Sequence, residues 1–137
     1  MPGLYESVVS TLPNDETRLY AEGVLRGLQN EILSLVIQRQ VFENDTTAAI
    51  EKKNMNAALE GFKELKALSI EDLKTKINDE EIRLKSLTAD ARELDYIIRR
   101  FESLRKILDD QQRKSKESEL QEVIQEFRKS KLAEPSS

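Results

Sequence analysis

The sequence predicts an all-α protein, an elongated helical bundle leading into a long coiled coil. Charged residues make up 35% and apolar residues 38% of the 137 residues, and the helix formers Leu, Ala, Glu, Lys and Arg dominate. Four glycines and three prolines leave little material for turns. Between Ile70 and Leu108 apolar residues recur every seven positions, a spacing that places a narrow apolar stripe along one side of a helix.

The N-terminal half predicts a short element followed by a bundle segment. Residues 1–13 are expected to form a short helix or arm that ends at Pro13, and residues 14–68 are expected to form the bundle segment. The helical signal weakens around residues 44–47, where polar cap-forming residues and threonines cluster, and then resumes. One apolar stripe of this segment is expected to contact partner helices: Leu25, Leu28, Ile32, Leu35 and Phe42.

The apolar arc of this segment is too wide for a single neighbour, which predicts a bundle of three or more helices. Gly23 and Gly27 lie one turn apart on one face. Two interpretations of them remain open: glycines tolerated at a cost of about 1 kcal/mol each relative to alanine, or a place where a second helix crosses unusually close. The apolar residues outside the main stripe are Leu33, Val36, Ile37 and Val41.

Residues 69–110 predict the coiled coil as one long helix whose start Ser69 can cap. Ten of the twelve a and d positions are apolar, with Ile frequent at a and Leu at d. Ile97 and Leu104 at g positions widen the stripe, which predicts a third helix beside its C-terminal half. The residues expected at a partner interface are Ile70, Leu73, Ile77, Leu84, Leu87, Leu94, Ile98, Phe101 and Leu108.

Charged residues along this stripe argue against self-pairing. In a parallel homodimer Glu80 and Arg105 would each face their own copy, and Asp90 would lie beside Asp95. These conflicts vanish if partner helices supply opposite charges, so the four residues are candidates to select the partner. The expected partners are therefore other helical subunits, in a hetero-oligomer rather than a homodimer.

The C-terminal part predicts weaker helices and a basic surface. Residues 99–131 carry ten basic and seven acidic residues. The tetrapeptide Arg-Lys-Ser-Lys occurs twice there, which makes Ser115 and Ser130 candidate regulatory phosphorylation sites. The segments expected in order are a polar linker or solvated helix over 111–119, a short amphipathic helix over 120–132 and a disordered tail over 133–137.

The residue types disfavour several kinds of site. Without Cys there can be no disulfide or thiolate metal site, and without His the commonest general base and transition-metal ligand are missing. Neither a phosphate-binding glycine loop nor an activated nucleophile is recognisable, so we expect no catalytic residue, metal or cofactor. No apolar run approaches the roughly 20 residues of a membrane span, and no signal sequence is visible. An intracellular location, cytoplasmic or nuclear, is expected.

The function expected from this pattern is non-catalytic: a scaffold or tether subunit that assembles through coiled-coil pairing with other helical subunits of a larger complex. A competing interpretation keeps the pairing within the chain, with residues 17–66 folding back antiparallel on residues 70–108. The alternative function is a self-contained helical domain that binds nucleic acid through its basic C-terminal third.

Overall fold

The computed structural model describes the backbone of residues 2–133 and the side chains of residues 16–130. All secondary structure in these ranges is helical, so the all-α prediction is confirmed for them. The helices, in chain order, are α1 (Pro2–Glu51), α2 (Met55–Ala67), α3 (Ile70–Ser86), α4 (Ala91–Lys114) and α5 (Glu117–Ala133).

Contacts between residues divide the chain into two compact units. Unit 1 comprises Met1–Ile32 and Glu71–Leu108, and unit 2 comprises Leu33–Ile70 and Asp109–Ser137. Each unit thus combines one part of α1 with residues from the second half of the chain. The units are therefore not consecutive stretches of the chain.

Helix α1 is uninterrupted, whereas the sequence predicts a boundary at Pro13 and a weak helix around residues 44–47. Proline lacks a backbone N–H, yet the helix continues through it, so the predicted boundary is wrong. Thr46 and Thr47 donate their hydroxyl groups to the carbonyl oxygens four residues earlier, at 2.7 and 2.8 Å. Because these side chains find acceptors within the helix, they do not terminate it.

Helix α1 ends in a tight reversal before α2. Lys53 adopts a left-handed conformation with φ of 57°. The N–H of Lys53 donates to the carbonyl oxygen of Ile50 at 3.0 Å, and the N–H of Asn54 donates to the carbonyl oxygen of Ala49 at 2.8 Å. This pair of hydrogen bonds is the Schellman motif of helix C-termini. The Asn54 side chain then accepts a hydrogen bond from the N–H of Ala57 at 3.1 Å. Two polar residues therefore end one helix and begin the next.

The predicted continuous heptad helix is divided in two at Leu87–Asp90, and the long coiled coil is not confirmed. The Thr88 hydroxyl donates to the carbonyl four residues earlier at 2.8 Å. A carboxylate oxygen of Asp90 accepts hydrogen bonds from the N–H groups of Arg92 at 2.8 Å and Glu93 at 3.2 Å. Asp90 thus caps a new helix, and the chain turns where the heptad pattern would continue.

Unit 1 has an apolar core between α1, α3 and α4. Charged pairs join the helices around this core: Lys76 with Glu31 at 2.7 Å, and Arg18 with Glu93 at 2.8 Å. Ile97 and Leu104, beside which the sequence predicts a third helix, are buried within this unit. The buried apolar side chains are Ala21, Leu25, Leu28, Ile32, Ile77, Leu84, Ile97, Phe101, Leu104 and Leu108.

Unit 2 has a smaller apolar cluster, in which α2 packs against α5. Of the two alternatives predicted for residues 111–119, a polar linker or a solvated helix, the segment is closer to the helix: α4 continues to Lys114, and only Ser115 and Lys116 separate it from α5. Of the predicted tail, residues 134–137 lie outside the described residues, and Ala133 ends α5. The buried members of the cluster are Phe62, Leu65, Leu120 and Ile124, with Phe42, Ile50 and Leu59 packed against them.

The close helix approach considered for Gly23 and Gly27 occurs instead at Gly61. A Cβ atom at either of the first two positions would meet no described atom within 4 Å. At Gly61 it would lie 2.6 Å from the hydroxyl oxygen of Thr46. The glycine of α2 therefore lets this helix lie directly against α1.

Candidate interaction surface

Most residues predicted to contact a partner are covered by their own chain. Leu87 alone among the fourteen is exposed. Most of their apolar surface is already buried within the two units. The prediction that these residues form the partner interface is therefore corrected. The buried residues are Leu25, Leu28, Ile32, Ile70, Ile77, Leu84, Phe101 and Leu108. The half-buried ones are Leu35, Phe42, Leu73, Leu94 and Ile98.

Two of the predicted partner-selecting charges serve unit 1 itself. Arg105 of α4 pairs with Glu81 of α3 and donates from Nε to the Asn78 side chain at 3.0 Å. Asp90 caps α4, as described above. Arg105 and Asp90 are therefore engaged by the hairpin of α3 and α4.

The other two partner-selecting charges lie in pairs along their own helices. Glu80 pairs with Arg83 at 3.0 Å, and Asp95 with Arg99 at 3.1 Å. The pairing with Glu80 is the largest cause that raises the pKa of Arg83. Exposed pairs of this kind contribute little to stability.

A polar cluster links α1 to α4 at the surface of unit 1. The Tyr96 hydroxyl donates to a carboxylate oxygen of Glu22, and Arg100 donates to the same oxygen at 3.3 Å. The pKa of Tyr96 is raised above its ordinary value chiefly by the hydrogen bond to Glu22 and then by desolvation, while Arg100 opposes the shift. This cluster links α1 to α4.

An exposed apolar row lies on α1 in unit 2. It consists of Leu33, Ile37 and Val41, whose exposed fractions are 47%, 63% and 48%. A spacing of four residues places the three side chains in one ridge along the helix. We call these three residues the α1 stripe. The sequence shows these residues as apolar positions outside the main stripe, but it does not show that they stay uncovered.

The α1 stripe lies on a stretch of helix with few charges, although the exposed Asp45 occupies the next position of its four-residue row. Between Leu33 and Asn44 the only charged residues are Arg39 and Glu43, and both are buried. The exposed polar neighbours include Ser34, Gln38, Gln40 and Asn44. In a chain with 35% charged residues, the twelve residues from Leu33 to Asn44, which present no exposed charge, are a local exception. Depletion of charge is typical of the centre of protein–protein interfaces.

The inner face of the same part of α1 carries a buried polar group. Arg39 is only 1% exposed. Its Nη1 donates to the carbonyl oxygens of Leu65 at 3.2 Å and Leu68 at 2.7 Å, and its Nη2 to Ser115 Oγ and Glu117 Oε2, both at 3.0 Å. The signal for this inward position is its spacing, because Arg39 lies seven residues after buried Ile32.

Four of the five arginines in the basic segment of residues 99–131 lie beside acidic side chains. Arg100 lies beside Glu22, Arg105 beside Glu81, Arg99 beside Asp95 and Arg113 beside Asp110. Neutralising phosphates requires positive charge that acidic neighbours do not cancel. These pairs therefore lend no support to nucleic-acid binding.

A groove of about 450 Å³ in unit 2 lies between α1 and α2 and opens to solvent; Phe42, Ala49, Asn54, Gly61 and Glu64 are among its lining. In the part of the chain with described side chains, no three acidic residues converge as metal ligands would. Among the described helices none is long and apolar enough to cross a membrane.

Comparison with known proteins gives no match to a family model, to a curated protein or to a solved structure.

Proposed function

We propose that the protein is a non-catalytic scaffold or tether subunit that packs against other helical subunits of a larger complex. The contact surface we propose is the α1 stripe of Leu33, Ile37 and Val41, not the heptad face. The observation that carries the proposal is this uncovered apolar ridge, on a stretch of helix with no exposed charge from Leu33 to Asn44.

Burial energies limit what the stripe can do alone. Completing the burial of three half-exposed aliphatic side chains contributes about 1 kcal/mol each, roughly 3 kcal/mol in total. A micromolar complex requires about 8 kcal/mol, so the stripe is too small to form a stable pair by itself. It suits the centre of a wider interface to which several helices contribute, as in a multi-subunit assembly.

The chemistry of the stripe also describes the partner. A ridge with four-residue spacing fits the groove of another amphipathic helix that carries its own apolar row. Since Ser34, Gln38, Gln40 and Asn44 surround the ridge, uncharged polar residues on the partner would bind beside it without a desolvated charge. A partner helix with acidic or basic residues at those positions would be disfavoured.

Substitution of Ile37 offers a sharp test because the chain contains a matched control. Ile82 on α3 is 67% exposed, against 63% for Ile37, but it has polar residues on the neighbouring turns. A photo-crosslinking amino acid at position 37 or 82, used in cells of the source organism, would identify the contacting protein. Binding of that purified protein to Ile37→Glu and Ile82→Glu would then be compared by calorimetry.

We expect crosslinks to a helical protein from position 37 and not from position 82. Ile37→Glu should weaken binding at least tenfold, and Ile82→Glu should bind like the unchanged protein. Equal binding by the two variants would overturn the proposal. Crosslinks from position 37 to a second copy of the chain would show a homo-oligomer and overturn the proposed hetero-oligomer.

A further inference from the structure

The two Arg-Lys-Ser-Lys tetrapeptides have the same sequence but different surroundings. Ser130 is exposed late in α5. Ser115 is half-buried in the two-residue joint between α4 and α5, and its neighbours Arg113, Lys114 and Lys116 are exposed. Kinases that select basic substrates read the charges beside the serine, which are identical in both places. The consequences of modification are therefore decided by the surrounding fold.

Hydrogen-bond donors converge on the hydroxyl oxygen of Ser115. Nη2 of Arg39 donates to it at 3.0 Å, and the backbone N–H of Glu117 at 3.3 Å. The second donor belongs to the first residue of α5, where the helix dipole favours negative charge. Arg39 itself is buried, and its Nε has no hydrogen-bond partner among the described atoms. The buried guanidinium thus already donates to the Ser115 oxygen through Nη2.

We propose that Ser115 is a phosphorylation site and that its phosphate binds Arg39 and the N-terminus of α5. A serine kinase would transfer the γ-phosphoryl group of ATP: a bond forms between phosphorus and Ser115 Oγ, the bond from phosphorus to the ADP oxygen breaks, and the hydroxyl proton passes to the kinase's base. The phosphate then takes the place of the Glu117 carboxylate on Arg39. This proposal is independent of the proposed function of the α1 stripe.

Local charges favour the exchange. Glu117 is partly exposed, so its carboxylate can turn to water, whereas a phosphate on Ser115 stays attached beside Arg39. Glu43 is the main opposing group, because it is buried and accepts a hydrogen bond from the Lys116 N–H at 3.2 Å. A phosphate opposite an arginine at the start of a helix orders that helix.

The test uses the full chain with phosphoserine encoded at position 115 or at position 130. Phosphoserine at 115 is expected to raise the melting temperature by about 3 °C or more, because it adds charge-assisted hydrogen bonds. Phosphoserine at 130 should leave it within about 1 °C. A decrease at 115, or equal shifts at both positions, would overturn the proposal.

Two further measurements separate the specific contact from a general charge effect. In Glu117→Gln the phosphate at 115 no longer displaces a carboxylate, so its stabilising shift should grow; an unchanged shift would contradict the exchange. A kinase of the basic-directed class with ATP should modify Ser130 first and Ser115 more slowly, as mapped by mass spectrometry. Complete modification of Ser130 with none at Ser115 would count against Ser115 as a site.

Discussion

The interiors of the two units are built on different principles. In unit 1 the fully buried side chains are apolar and lie at helical spacing, and the less deeply buried Glu81 and Glu93 form ion pairs with Arg105 and Arg18. In unit 2 the same face of α1 continues inward through Arg39, Glu43 and Thr46. Unit 1 is stabilised mainly by burial of apolar surface, whereas unit 2 also depends on hydrogen bonds to its buried polar groups. The comparison teaches that the spacing of apolar residues in the sequence locates an apolar interior such as that of unit 1. It does not locate an interior that includes buried polar residues, such as that of unit 2.

Truncation of the unit 1 core is expected to have the largest effect. Ile77→Ala removes a fully buried side chain of α3 and should lower the free energy of unfolding by about 2–5 kcal/mol in urea melts. Ile82→Ala on the same helix removes an exposed isoleucine and should change it by about 0.5 kcal/mol or less. Similar losses from both would mean that α3 does not bury the face assigned to it.

Removal of the buried guanidinium tests the polar interior of unit 2. Arg39→Met keeps a long side chain but leaves the carbonyl oxygens of Leu65 and Leu68 without their donors, so a loss of about 2–4 kcal/mol is expected. Arg26→Met, at an exposed position of α1, is the control and should be nearly neutral. If calorimetric melts of the Arg39 variant matched those of the control, the contrast between the interiors would be lost.

Glycine substitutions should have opposite signs in the two units. Gly61→Ala places a Cβ against Thr46 and should destabilise the chain by about 1–3 kcal/mol. Gly27→Ala fills open space on a helix and should stabilise it by up to about 1 kcal/mol. Thermal melts of the two variants would show the difference. A stabilising Gly61→Ala would contradict the close approach of α2 to α1.

Loss of the α4 cap is the smallest of these effects. Asp90→Ala removes an acceptor for two backbone N–H groups and should cost about 1 kcal/mol in denaturant melts. Asp79→Ala, at an exposed position within α3, provides the control and should cost less. An Asp90 variant as stable as this control would indicate that the break between α3 and α4 does not depend on the cap.

Much of the fold follows from the sequence, but the covering of its apolar faces does not. The composition predicts helices, and the spacing of Leu25, Leu28 and Ile32 predicts the buried face of α1. The seven-residue spacing identifies which residues are buried, but it does not identify what covers them. The sequence therefore predicts a partner for heptad residues that the chain itself covers. The sequence also indicates the break between α3 and α4, because Asp90 and Glu93 have the spacing of a helix N-cap residue and an acidic residue three positions later.

Neither the exposure of the α1 stripe nor the burial of Arg39 can be predicted from the spacing of residues in the sequence, and the reason is physical. Leu33, Ile37 and Val41 look in sequence like other apolar helix positions, and only the packing decides which side of α1 is left over. Arg39 is ordinarily a surface residue type, and it can be buried only because carbonyl and carboxylate oxygens from distant parts of unit 2 converge on it. Such convergence depends on tertiary structure.

The central claim is that the heptad face is covered within a single chain, and hydrogen exchange tests it most directly. The isolated chain would be studied at a concentration where light scattering gives the 15.8 kDa mass of one copy. The account predicts strong protection of the α3 and α4 amides around Ile77 and Phe101 in that monomer, because their side chains are fully buried. Exchange of these amides at unfolded rates, with protection appearing only when partner helices are added, would contradict it.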